Sequence, residues 1–126
     1  MFRRVLFRSK FEVYEKIDTK WCATGNAPHE ITLDLGDIKT ISEVQMRHAE
    51  AGGEGPDMNT KAYSIEVSED GKEFTQIVRV INNEHGETID TFPVVNARYV
   101  RMITDKPTQG ADSAARIYGI SVYGLK

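Results

Sequence analysis

Five polar residues crowd into one short stretch of the chain: His48, Glu50, Glu54, Asp57 and Asn59. Carboxylates accept hydrogen bonds, a carboxamide donates and accepts, and a neutral imidazole does one of each. A set of this kind can satisfy the vicinal hydroxyls of a sugar. Gly52, Gly53 and Gly55 are interleaved with it and let the backbone turn tightly against a ligand. The same residues also read as a solvated acidic loop whose histidine simply closes a strand. On the residues alone that plainer reading is favoured.

Covalent and metal chemistry find less support. The sequence holds no Gly-x-Ser-x-Gly elbow, no phosphate loop and no His-Glu-x-x-His. His29, His48 and His85 sit on separate segments, so a metal trio would need a chance meeting in the fold. Cys22 is the only cysteine, which excludes an internal disulfide and any Cys-based zinc site. Nothing orients His48 as a base toward Cys22, and a cysteine beside Trp21 is expected to be buried and inert. Carboxylates are plentiful, but an acid–base pair needs a defined separation across a cleft that sequence does not reveal. Trp21 is expected in the core, and Tyr63, Tyr99, Tyr118 and Tyr123 read as packing residues. No aromatic platform for a sugar ring is visible.

The elements that position these residues are strands. Apolar residues alternate at Ile31, Leu33 and Leu35, then at Val44 and Met46 with His48 next in phase, then at Tyr63, Ile65 and Val67. Further runs cover residues 74–81, 88–92, 98–104 and 116–123. Period two with β-branched and aromatic enrichment is the strand signal, and no segment keeps a helical period. Asp70-Gly71 marks a hairpin turn. Residues 49–60 and 106–115 are long loops, where binding groups on a rigid scaffold usually sit. The prediction is an all-β, antiparallel β-sandwich or jelly roll of seven or eight strands. At 126 residues, 40% hydrophobic and 28% charged, the chain has the length and composition of one globular domain. A net charge of -3 argues against non-specific nucleic-acid binding, which needs a surplus of Lys and Arg.

Residues 1–9 read MFRRVLFRS, too short and Arg-rich to span a membrane and without a signal-peptide cleavage site. The VLFRS string resembles a translated sequencing adapter. Residues 1–9 are therefore expected to be a non-native scar and 10–126 the domain, which on that reading is truncated at its N-terminus; the alternative is a genuine basic edge strand.

Several strings, in order, resemble one family. They are Thr19-Lys20-Trp21, ITLDLG at 31–36, Ile41-x-x-Val44, YSIEVSEDG at 63–71, ARYVRM at 97–102 and RIYGISVYG at 116–124. This order is similar to the discoidin domain, also called the coagulation factor V/VIII C-type domain, with carbohydrate-binding module family 32 among its bacterial members. The resemblance implies an eight-stranded, galactose-binding-like jelly roll with ligand loops at one end, and binding without catalysis. It implies galactose or N-acetylglucosamine-type ligands held at the end of the strand that finishes with His48 and by the loop after it. His48 and Asn59 match that pattern best, and Glu50, Glu54 and Asp57 follow. The family's aromatic contact comes from another loop and has no placed counterpart here; the loops 23–29 and 108–112 are where to look for it.

The resemblance further implies a monomeric, extracellular accessory module of a parent glycoside hydrolase, with a glycan as ligand and no nucleic-acid or membrane partner. Many relatives hold a structural calcium, for which Asp18 and Thr19 are the candidate ligands here. The family's late glutamate is replaced by Gly119, which removes a charge and an oxygen. Two rivals stay open: a discoidin-type adhesion domain for protein or membrane surfaces, and a spacer with no ligand.

Overall fold

The computed structural model describes residues 11–17 and 20–125. The expected N-terminal scar lies outside them. Seven strands follow in chain order: β1 (Phe11–Ile17), β2 (Trp21–Ala23), β3 (His29–His48), β4 (Ala62–Ser68), β5 (Thr75–Val80), β6 (Glu87–Lys106) and β7 (Ala115–Leu125). All pairings are antiparallel. Hydrogen bonding runs through one continuous sheet ordered β1-β7-β3-β6-β4-β5, with β2 beside β7.

That ribbon becomes a sandwich because its two longest strands bend together. β3 and β6 each span 20 residues. Their register is broken between Asp34 and Lys39, where Gly36 adopts φ 91° and turns the chain. A positive φ of this kind is open to glycine at little steric cost. Before the corner, β3 pairs with the second half of β6, which continues onto β4 and β5; after it, β3 pairs with the first half of β6 and with β7. Seven strands thus do the work of the expected eight or so, since two runs that the sequence separates at 31–35 and 44–48 are one bent strand. The runs at 88–92 and 98–104 are joined in the same way.

Inward positions recur with period two on both layers. Leu33, Leu35, Ile41, Val44, Met46, Tyr63, Ile65, Val67, Val100, Met102, Ile117, Ile120 and Val122 form the core. Burying each large aliphatic side chain contributes about 1.5–3 kcal/mol. Trp21 packs against this cluster as expected. Its neighbour Cys22 is exposed, which corrects the expectation of a buried thiol. Strand alternation explains it: if Trp21 points in, the next side chain points out.

The bends give the sandwich two unlike ends. The corners of β3 and β6 and the turn after Ser68 gather at one. Leu125 arrives there too, paired with Phe11. At the other end are both termini of β3, both termini of β6, the start of β4 and the start of β7. The connections 49–60, 82–86 and 107–114 therefore meet at that single end.

Candidate functional site

His48 closes β3 at the loop end, fully buried. It continues the inward phase of Val44 and Met46. Its ring lies 5.8 Å from that of Tyr63, and its Nε2 shares a 3.0 Å hydrogen bond with Thr88 Oγ1. Its backbone N–H donates to the Gly86 carbonyl at 2.7 Å. Burial pushes the imidazole pKa down to about 4, so the ring is neutral near pH 7. Tyr63 reaches across from the opposite layer and donates its hydroxyl proton to Asp90 Oδ2 at 2.6 Å. Burial raises the pKa of both partners. A polar seam thus crosses the top of the core beneath the loops.

Above it, three carboxamides lace the loops together. Asn59, fully buried, accepts from the Glu50 N–H at 2.9 Å and donates to Glu50 Oε1 at 3.1 Å and the Glu84 carbonyl at 3.2 Å. Asn83 donates to the carbonyls of Thr60 and His85 at 2.9 and 3.0 Å and accepts from the His85 N–H at 3.1 Å. Gln109 donates to the carbonyls of Asn59 and Asn83 at 2.8 and 3.0 Å. Its own N–H donates to the Asp57 carbonyl at 2.9 Å. Buried backbone polar groups that would otherwise be orphaned are satisfied here by side chains. The result is a rim whose three loops are bonded to one another.

Glu54 fastens the outer edge. It accepts from the Tyr118 hydroxyl at 2.5 Å and pairs with Lys20 at 3.0 Å and Arg116 at 3.1 Å. The hydrogen bonds from Tyr118 and Lys20 hold its carboxyl below the usual range. Gly52 lies flat on the Tyr118 ring, where an added Cβ would come within 2.2–2.3 Å of ring carbons. Tyr118 therefore carries the loop on one ring face, so the nearest rim aromatic is a support. Residues 23–29 and 108–112 hold no Phe, Tyr or Trp, and His29 Nε2 donates to the carbonyl of Ser113, just past the second loop, at 2.8 Å.

The five residues singled out in the sequence do come to one end, in two roles. His48 and Asn59 are buried floor and frame, bonded internally, and they do not present polar groups to solvent as expected. Glu54 is held by three partners. Glu50 and Asp57 are exposed. Glu50, Ala51, Gly86 and Glu87 line a hollow of about 330 Å³ at the rim. A larger hollow, about 500 Å³, lies at the corner end beside Ser68 and Asp70. There Asp70 caps its own turn through the N–H groups of Lys72 and Glu73 at 2.8 and 3.1 Å, bonds that hold its pKa down to about 2.

Asn83, Gln109 and Gly86 were not singled out in the sequence, and Tyr118, read as a packing residue, packs against Gly52 and also bonds Glu54. The polar run Asn82–Glu87 is the signal that marks the third loop. For calcium, Asp18 and Thr19 lie outside the described residues. Gly119 is buried in β7 opposite Arg47 and has no side-chain oxygen to give. Among the described residues no three His, Cys, Asp or Glu side chains converge.

Comparison with known proteins now identifies the scaffold. The profile of the F5/8 type C domain matches residues 9–118. The chain belongs to this family. No curated protein sequence matches it. Among solved structures it is similar to the family 32 carbohydrate-binding module from Streptococcus pneumoniae EndoD, with a TM-score of 0.75 and 21% identity over 90% of this chain and 95% of that one. It is similar to CpGH89CBM32-5 from Clostridium perfringens, solved with GalNAc-β-1,3-galactose, at TM-score 0.70 and 23% identity over 83% and 75% of the two chains. Chitosan-binding module 2 from a Paenibacillus sp. IK-5 chitosanase/glucanase, solved with chitotriose, aligns at TM-score 0.68 and 26% identity over 84% and 78%. These likenesses, with the family match, bear out the β-sandwich expectation.

Proposed function

We propose that this chain is a non-catalytic carbohydrate-binding module. It would hold a parent glycoside hydrolase on galactose or N-acetylglucosamine-type glycans outside the cell, acting as a monomer. The observation that carries this reading is the rim: three loops tied together by Asn59, Asn83 and Gln109, two of them lining an open hollow, on a scaffold shared with carbohydrate-binding modules. A rigid rim lowers the ordering cost of binding a flexible, well-hydrated ligand. In this reading Glu50 and Glu87, which line the hollow, and the exposed Asp57 would accept from sugar hydroxyls, with Asn59 holding Glu50.

Affinity is expected to be weak, on the order of 0.1–1 mM per site, because sugar–protein hydrogen bonds replace sugar–water ones for little net gain. Avidity from neighbouring modules would make up the difference. The test is a glycan array probed with the folded chain. Signal confined to a related group of glycans supports the reading, and a blank array with a protein that melts cooperatively overturns it.

A further inference from the structure

Asp70-Gly71 is the one Asp-Gly pair in the chain, and no Asn-Gly pair occurs. Such a pair is chemically labile. The glycine amide nitrogen attacks the aspartate Cγ and forms an N–C bond, while the amide proton and the carboxyl hydroxyl leave together as water. Hydrolysis of the cyclic imide at its main-chain carbonyl takes that water back and leaves the backbone running through Cβ and Cγ as isoaspartate. Glycine favours the attack because no side chain hinders it.

The turn needs both residues. Gly71 adopts φ 79°, and a Cβ there would come within 3.1–3.4 Å of the Tyr99 ring. Asp70 caps the turn by accepting from the N–H groups of Lys72 and Glu73 at 2.8 and 3.1 Å. Yet the same turn opposes the reaction at both reacting groups. Only a neutral carboxyl can give up its oxygen as water. The Lys72 and Glu73 N–H groups, then the Ser68 hydroxyl, which donates to Asp70 Oδ1 at 3.0 Å, keep this carboxyl ionised. The attacking nitrogen is occupied as well, since the Gly71 N–H donates to Ser68 Oγ at 2.8 Å. Ser68 is buried whereas Asp70 is exposed, so the bond that restrains the nitrogen ends on an oxygen covered from water. We infer that Ser68 shields Asp70-Gly71 from isoaspartate formation, preserving a hairpin whose sequence invites that damage. The shielding does not depend on what the rim binds.

The test is ageing of the full chain in warm neutral buffer, folded and in guanidinium chloride, with isoaspartate at position 70 quantified by electron-transfer fragmentation of the digested peptide. The folded chain should form it at least about tenfold more slowly, the factor that one unit of carboxyl pKa is worth. Equal rates overturn the inference. Ser68→Ala, checked for a cooperative melting curve, should convert about fivefold faster than wild type when folded, the weight of one ordinary hydrogen bond. An unchanged rate overturns the assignment to Ser68. Asp70→Asn supplies a measurement that does not require Ser68→Ala to fold, because its side-chain amide closes the same ring with loss of ammonia and needs no protonation. Folded, it should deamidate about fivefold more slowly than unfolded, since the bond from Gly71 to Ser68 remains. Equal rates in that variant overturn the shielding of the nitrogen.

Discussion

The two ends of the sandwich are stabilised by different means. At the corner end, Ser68, Asp70 and Gly71 bond to one another within three residues, and Asp34 meets Gly36 and Arg98 on an exposed surface. At the loop end, Asn59, Asn83 and Gln109 each make at least one bond to a backbone group 23–50 residues away, beside shorter-range ones to Glu50 and His85. The exposed bonds of Asp34 exchange with water at little penalty, and the buried Ser68 Oγ serves N–H groups only two and three residues ahead. Buried, distant ones leave orphaned groups when they break. The loop end should therefore be the rigid and mutation-sensitive one, contrary to the usual mobility of loops.

Thermal or denaturant unfolding of variants can break that comparison. Asn59→Ala removes the partners of the Glu50 N–H and the Glu84 carbonyl together and should cost roughly 4 kcal/mol. A loss as small as that of an exposed substitution would sink the claim of a locked rim. The histidine beneath it gives the next effect. Its imidazole titrates near 4 when folded against 6.5 when free, so the unfolded chain binds more protons between those values. Stability should thus be flat above about pH 6.5 and fall by about 3 kcal/mol as pH drops toward 4. Burial raises Asp90 and works in the opposite sense. The difference between wild type and His48→Gln across that window therefore isolates the histidine.

Gly52→Ala drives a methyl group into Tyr118 and should cost about 2 kcal/mol, and the penalty should vanish in a Tyr118→Ala background. At the corner end, Ser68→Ala should cost only about 1 kcal/mol. Asn96→Ala, which loses one exposed bond from Thr40, should stay within about 0.5 kcal/mol. If either corner variant matched Asn59→Ala, the contrast would disappear.

The same difference decides what was legible in the sequence. Ser68-Glu69-Asp70-Gly71 announces its turn because the groups that bond are neighbours in the chain. Alternation at Ile31–Leu35 and Tyr63–Val67 likewise announced the strands and the layered fold. The corners were not legible, because Gly36 and the paired bend of β6 are one event shared by residues 60 apart. His48 was readable and misread: its place in phase with Val44 and Met46 already put it inside. Asn83 and Gln109 gave no such sign, since their partners are chosen by the finished topology alone. Glu54 looked like a ligand because Tyr118 and Arg116, its partners, are more than 60 positions away.

Phe11 and Leu125 lie side by side at the end farthest from the rim. A bead or a dye attached at Leu125 would sit on the side of the sandwich away from the hollow and leave its mouth open.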